Sequence, residues 1–288
     1  MAKLTQYRTA DSAYDGPFDN IVGWRAASMG DVIQTEDGHL IVVDGGNSND
    51  AEGFLALLEE LSGGKQPIVD LWFITHPHGD HYYALRQIAF RPELAARITV
   101  KKLVYYFPEE FCATAEKPSV CVGLNRDLAN IAAVWGAETH TPVRDEHFLL
   151  DDVDIRMLYV PDDCSIFRVA ELNYLSLIFT VAGKHHRAMI TGDAVRRTMQ
   201  ITRWRYPSVD LACDYLQMPH HGLCDVGCMD FYKAINAKAL LIPTCIAGDR
   251  AMHSDLYFGQ GREPDNRWAE ENADVIYNAF EGTVTLDL

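Results

Sequence analysis

The sequence predicts an α/β layered fold that carries its chemistry on loops along one edge of its sheets. Short apolar strands and helical stretches alternate along the chain, and several strands end in polar, glycine-rich or histidine-rich turns. No internal repeat, low-complexity run or Pro/Gly/Ser-rich linker interrupts the 288 residues. A single domain over residues 1–288 is therefore expected.

The elements follow in order. Val32–Gln34 and Leu40–Val43 flank Glu36-Asp37-Gly38, a hairpin signature, and the second strand runs into Asp44-Gly45-Gly46. Residues 51–61 place apolar side chains three and four apart, as a helix does, and Gly63-Gly64 stops them. Val69–Ile74 is a buried-type strand, and Leu103–Tyr106 is a second short one. Asn125–Trp135 and a short piece after Asp193 are expected to be helical. Further strands are expected at Ile155–Val160, Leu175–Val181, Ala188–Thr191, Leu211–Met218 and Ala239–Pro243. The tail brings a helix at Arg267–Ala273, an extended stretch at Val275–Asn278 and a final strand at Gly282–Leu286.

Composition narrows the function. Hydrophobic residues make up 48% and charged residues 23%, ordinary values for a folded chain with a sizeable core. The formal charge of −16 argues against sequence-independent binding of duplex nucleic acid or anionic membrane, though a cationic strip could still hold a phosphorylated substrate. The seven cysteines are odd in number and irregularly spaced, which argues against a disulfide framework and for free thiols. Cys224 and Cys228 are too far apart for a Cys-x-x-Cys motif. The first residues lack an apolar core of the signal-peptide kind, and no stretch approaches the ~18 apolar residues of a membrane span. A cytoplasmic location is expected.

Four potential ligands fall within Thr75-His76-Pro77-His78-Gly79-Asp80-His81. A strand leads into this segment, so His76 and His78, two apart on extended chain, point the same way and can grip one ion. Beyond Gly79 the chain can turn and offer Asp80 and His81 to a second. Imidazole and carboxylate suit zinc, iron or manganese. The alternative, a solvated histidine-rich loop, does not account for the ordered pattern directly after Leu71-Trp72-Phe73-Ile74.

With this motif the sequence resembles the metallo-β-lactamase superfamily, whose hallmark is His-x-His-x-Asp-His. Asp44-Gly45-Gly46, Thr191-Gly192-Asp193 and Met218-Pro219-His220-His221-Gly222 follow in that family's order. Alone, the first is a tight turn and the second a helix cap; together they extend the resemblance from about Gly30 to Leu288. His220-His221-Gly222 with Asn173-Tyr174-Leu175-Ser176 is similar to the hydrolase domain of competence (DNA-uptake) proteins and their soluble phosphodiesterase- and nuclease-like relatives.

The resemblance implies a four-layer αβ/βα sandwich and two divalent ions, expected to be zinc. His76 and His78 would hold the first, Asp80, His81 and His220 the second, and Asp193 both. A metal-activated hydroxide would attack a phosphodiester or nucleotide-type substrate, with Asp80 or His221 passing a proton to the leaving group. Where many members carry a Pro-Gly-His turn, this chain has Pro161-Asp162-Asp163. The first ion is thus short of a ligand, which Asp163, Asn173 or water would supply. Tyr82, Asn173, Arg196 and His253 are the expected substrate contacts. Arg196, Arg197, Arg203 and Arg205 fit either phosphate oxygens or a solvated helix face paired with carboxylates. A thioesterase or lactonase with an acyl pocket of Tyr82, Tyr83 and Phe107, or a catalytically silent binding protein, are the alternatives.

Overall fold

The computed structural model describes residues 1–18, 26–108, 118–162, 171–223, 227–254 and 264–288, with 118–122 by their backbone alone. The first sheet receives β1 (Lys3–Gln6), β2 (Gly30–Gln34), β3 (Leu40–Asp44), β4 (Ile68–Phe73), β5 (Thr99–Val100), β6 (Lys102–Val104) and β7 (Glu138–His140). The second receives β8 (His147–Leu150), β9 (Val153–Tyr159), β10 (Ile178–Ala182), β11 (Arg187–Ile190), β12 (Tyr215–Gln217), β13 (Ala239–Ile242) and β14 (Val275–Asn278). β15 (Val284–Asp287) returns to the first sheet and pairs with β1, so the two ends of the chain lie side by side.

Each sheet is antiparallel in one half and parallel in the other. The first runs β15-β1-β2-β3-β4-β6-β7, with β5 also against β4, and is parallel from β3 onward; the second runs β14-β13-β12-β11-β10-β9-β8 and is parallel from β14 to β11. Parallel neighbours need long crossovers. Helices supply several: α1 (Ala51–Leu61), α2 (Gly79–Phe90), α3 (Pro118–Trp135), α4 (Arg196–Arg205), α5 (Met229–Ile235), α6 (Ile246–Met252) and α7 (Pro264–Asn272).

Period-two patterning sorts the core into layers. On β3, Ile41 and Val43 join Phe73, Phe179, Ile155 and Ile190 between the sheets, while Leu40 and Val42 face the helices with Phe54, Trp72 and Leu85. Phe73 stacks on Phe179 at 5.2 Å across the gap. This is the sandwich of two sheets with outer helices that the sequence led us to expect.

Three expectations change. Leu175–Val181 is not one strand: Leu172–Leu175 is a 3₁₀ turn and β10 starts at Ile178. Leu211–Met218 shrinks to β12, because Ser208–Leu211 closes a single helical turn after Pro207. Gly79 does not turn the chain aside; His78, with extended backbone, is the N-cap of α2, so Asp80 and His81 sit in its first turn. At α1 the expected stop holds: Gly63 and Gly64 have left-handed φ of 65° and 75° and donate to the carbonyls of Glu60 and Glu59.

Candidate metal centre

The C-terminal ends of the parallel strands in both sheets meet at one edge, the customary place for a site in such sheets. β3 delivers Asp44, β4 delivers His76 and His78, α2 opens with Asp80 and His81, β11 leads to Asp193, and β12 to His220 and His221. Side chains from loops more than a hundred residues apart converge there. Asp80, His81, Asp193 and His221 offer ligand atoms within 4.8 Å of one another, and so do His76, His78 and Asp193.

The two groups share one carboxylate. Asp193 Oδ1 lies 3.2 Å from His81 Nε2 and 3.6 Å from His221 Nε2, while Oδ2 lies 3.4 Å from His76 Nε2 and 3.9 Å from His220 Nε2. Asp80 Oδ2 is 3.3 Å from His221 Nε2 and 3.9 Å from His81 Nε2. Around a tetrahedral ion with bonds of about 2.1 Å, ligand atoms stand roughly 3.4 Å apart. His76 Nε2, His81 Nε2, His221 Nε2 and Asp193 Oδ1 are buried and make no hydrogen bond. Such atoms are costly to bury without a partner, and cations meet that need. The donor set fits divalent metals of the zinc, iron or manganese kind.

A second layer fixes the rings. Asp44, at a left-handed φ of 58°, turns its carboxylate under the β4 end. Its Oδ1 accepts from the Thr75 amide at 2.8 Å; its Oδ2 accepts from Thr75 Oγ1 and pairs with His81 Nδ1, both at 2.7 Å. Thr75 Oγ1 also contacts His76 Nδ1 at 3.2 Å, so both imidazoles are tied through their far nitrogens and turn Nε2 inward. Gly192, at φ 53°, lets the Asp193 loop approach, since a Cβ there would meet Thr75 at 2.8 Å. Asp193 does not cap a helix; its amide donates to Ser176 Oγ, and Val195 is the N-cap of α4.

His220 and His221 are arranged the other way round from the sequence expectation. His220, expected beside Asp80 and His81, stands instead on the side of His76 and Asp193 Oδ2; His221, expected as a proton carrier, stands beside Asp80 and His81. The cause is local. Both residues adopt left-handed backbone, φ 50° and 57°, a strained state for non-glycine residues that drives their rings apart to 6.1 Å. The His220 amide, donating to the Gly192 carbonyl, pins the loop to the Asp193 turn. His221 Nδ1 bonds the Pro243 carbonyl at 2.6 Å, which turns Nε2 toward Asp80 and Asp193 Oδ1.

Of the other expected residues, Asn173 is buried with Nδ2 3.4 Å from His220 Nε2. Asp163 lies outside the described residues, as does Cys224. Tyr82 packs in the α2 core. Arg196 pairs with Asp265 at 3.1 Å, and His253 with Glu270 at 3.1 Å. These two are engaged by carboxylates of α7, the solvated-face alternative for Arg196. Asp44's hold on two histidine rings was missed; the aspartate-glycine turn was the available signal.

Electrostatics follow the same division. Burial, then neighbouring His81, holds His76 well below the ordinary histidine value, leaving a neutral ring. Burial opposes ionisation of Asp193, but His81 and His221 outweigh it and hold the carboxyl well below its usual range. Asp31 on β2 differs: burial, then Asp44, pushes its carboxyl from 3.8 up to about 8. The folded chain then keeps a proton that the unfolded chain has lost, so this group's contribution to stability falls as pH rises from about 4 to about 8. Asp31→Asn should remove that loss. In chelator-treated protein it should melt higher than wild type at pH 8 and close to it at pH 4; parallel melting curves across this range would contradict the assignment.

Comparison with known proteins places these observations. Residues 32–157 match the family model described as the metallo-beta-lactamase superfamily, a span that carries the first histidine cluster but ends before Asp193, His220 and His221. No curated protein matches the chain. Among solved structures it is similar to zinc-bound PqqB from Methylobacterium extorquens, with 10% identity, all of both chains covered and a TM-score of 0.59. It is also similar to YhfI from Bacillus subtilis, described as a metallo-beta-lactamase fold protein, with 14% identity, 99% of each chain covered and a TM-score of 0.55. CmlA from Streptomyces venezuelae, a diiron β-hydroxylase, gives 10% identity over 99% of this chain and 54% of its own, at a TM-score of 0.53. At these identities the likeness is one of fold.

Proposed function

We propose, from the match of residues 32–157 to the metallo-beta-lactamase superfamily and from the geometry of the metal centre, that this chain is a metal-dependent hydrolase of that superfamily acting on phosphodiester or nucleotide-type substrates, with two divalent ions, zinc foremost. The observation that carries this is Asp193, whose two carboxylate oxygens face two separate ligand groups. Two divalent ions held by these groups would supply an acidified water and charge to meet the attacking and leaving oxygens, the demand of displacement at phosphorus.

His76, His78 and His220 would hold one ion, and Asp80, His81 and His221 the other, with Asp193 common to both. His220, with Nε2 3.9 Å from Asp193 Oδ2, would then add a further ligand to the first ion, beside the Asp163, Asn173 or water that the sequence offers. Asp80 is the one member of its group within reach of solvent, and His81 and His221 outweigh burial to keep it ionised. It is the acceptor for a proton in transit. Thr75 and Asp44 act through the rings they orient. The finer likeness to competence-protein hydrolase domains rests on residues 173–176 and 220–222 alone.

No helix among the described residues is long and apolar enough to cross a membrane. We propose a cytoplasmic location from the odd number and irregular spacing of the seven cysteines.

The test is a substrate panel with zinc or manganese added: bis-p-nitrophenyl phosphate, a thioester and a lactone. Turnover should be confined to the diester, and His220→Ala and His221→Ala should each remove about one of two bound ions. Thioester or lactone turnover alone would transfer the assignment to the acyl-hydrolase alternative. Metal-free, inactive protein after zinc reconstitution would favour a silent binding protein.

A further inference from the structure

Beside the ligand loop a cleft of about 590 Å³ opens between α2 and α3, within the size range of ligand pockets. Pro77 is part of its lining and stands between His76 and His78 in the chain, so the cleft adjoins the loop that carries those histidines. One wall is aromatic. The Tyr83 ring lies over Gly79, where a Cβ would meet Cε2 at 2.6 Å, and it meets Tyr82 edge to face at 5.1 Å and 73°. Tyr82 is buried, whereas 42% of Tyr83 faces outward.

Cations line the same cleft. Arg86 pairs with Asp127 at 2.8 Å and stacks on Phe90 at 5.3 Å. Arg126 stands exposed on the α3 face, and among the described residues it has no carboxylate partner. Among the described residues, two guanidinium groups and one carboxylate line this cleft and leave it positive on a chain of net charge −16. By contrast, the 700 Å³ cleft around Arg196 and Arg203 also holds Asp230 and Asp265 and is charge-balanced. A positive mouth on an acidic protein attracts anions.

We infer that this cleft binds the part of the substrate remote from the scissile bond, and that this part is a planar ring carrying an anionic group. The ring lies against Tyr83, and the anion is held by Arg126 with Arg86 beside it, a nucleotide-like pattern. The inference rests on the hydrolase assignment of the adjoining metal centre, and binding can be read independently of turnover.

Isothermal titration of zinc-loaded protein with adenosine 5′-monophosphate, adenosine and inorganic phosphate tests it. Adenosine 5′-monophosphate should bind more tightly than either fragment. Arg126→Glu should weaken it about tenfold or more, the scale of a lost hydrogen bond to a charged group, with Arg126→Lys intermediate. Tyr83→Ala should weaken adenosine as well. Equal affinity in wild type and Arg126→Glu would overturn the inference, because the anion would then sit on the ions instead. Arg126-dependent binding with no diester turnover would instead overturn the hydrolase assignment and leave the cleft as a ligand site. Arg126 is exposed, so folding is not at stake in its variants.

Discussion

Asp193→Asn is expected to strip the protein of its paired ions and to lower kcat/KM on bis-p-nitrophenyl phosphate roughly a thousandfold. Asparagine keeps the volume of the buried side chain but removes the charge that both ligand groups face. Metal-ion catalysis contributes several kcal/mol of charge stabilisation, and each 1.36 kcal/mol is about tenfold in rate. The carboxylate also gathers four imidazoles, of which His81 and His221 do most to hold it ionised against burial. Elemental analysis should find about two ions per wild-type chain and one or fewer in the variant. A variant that retained both ions and turned over within tenfold of wild type would refute the shared-carboxylate arrangement.

The second large effect is expected at Asp44, which reaches no ion. Asp44→Ala removes the acceptor for the Thr75 amide, the Thr75 hydroxyl and His81 Nδ1, all in a site closed to water. Each buried donor left unpaired costs about 1–3 kcal/mol, which for a chain of this size corresponds to a fall in melting temperature on the order of ten degrees. Alanine is also strained at the left-handed backbone of this position, whereas asparagine tolerates it. Asp44→Asn should therefore lose less stability but still loosen His81, weakening zinc binding about 10–100-fold, as loss of an outer-shell partner does. Thermal melts with zinc competition titrations separate the two effects. Wild-type zinc affinity in Asp44→Asn would show that His81 needs no such orientation.

Much of the fold was readable because its signals are local. Alternating side chains on β3, the Gly63-Gly64 stop of α1 and the Asp44-Gly45-Gly46 turn each depend on neighbours in sequence. The same holds for His76 to His81, since a strand running into a helix start presents all four ligands within six residues. Where local propensity competed with tertiary contacts, the reading failed. The apolar run Leu175–Val181 looks like one strand, but its first residue ends a 3₁₀ turn whose Asn173 is drawn to His220. α6 carries too little apolar periodicity over seven residues to announce itself.

What the sequence determined by itself is the set of candidate metal-ligating residue types and their order along the chain, because strand-end geometry ties spacing to side-chain direction. Which oxygen of Asp193 each histidine faces was decided by tertiary structure. His220 and His221 are adjacent and chemically identical, and only the left-handed backbone, pinned by Gly192 and Pro243, sends one ring to each oxygen of Asp193. The fate of the arginines was likewise a tertiary matter. Arg196 is neutralised by an aspartate of α7 far along the chain, while Arg126 shares a cleft with Pro77 only because α3 packs beside α2. Charge acts through space, and distance through space is set by the packing of the sheets and helices rather than by separation along the chain.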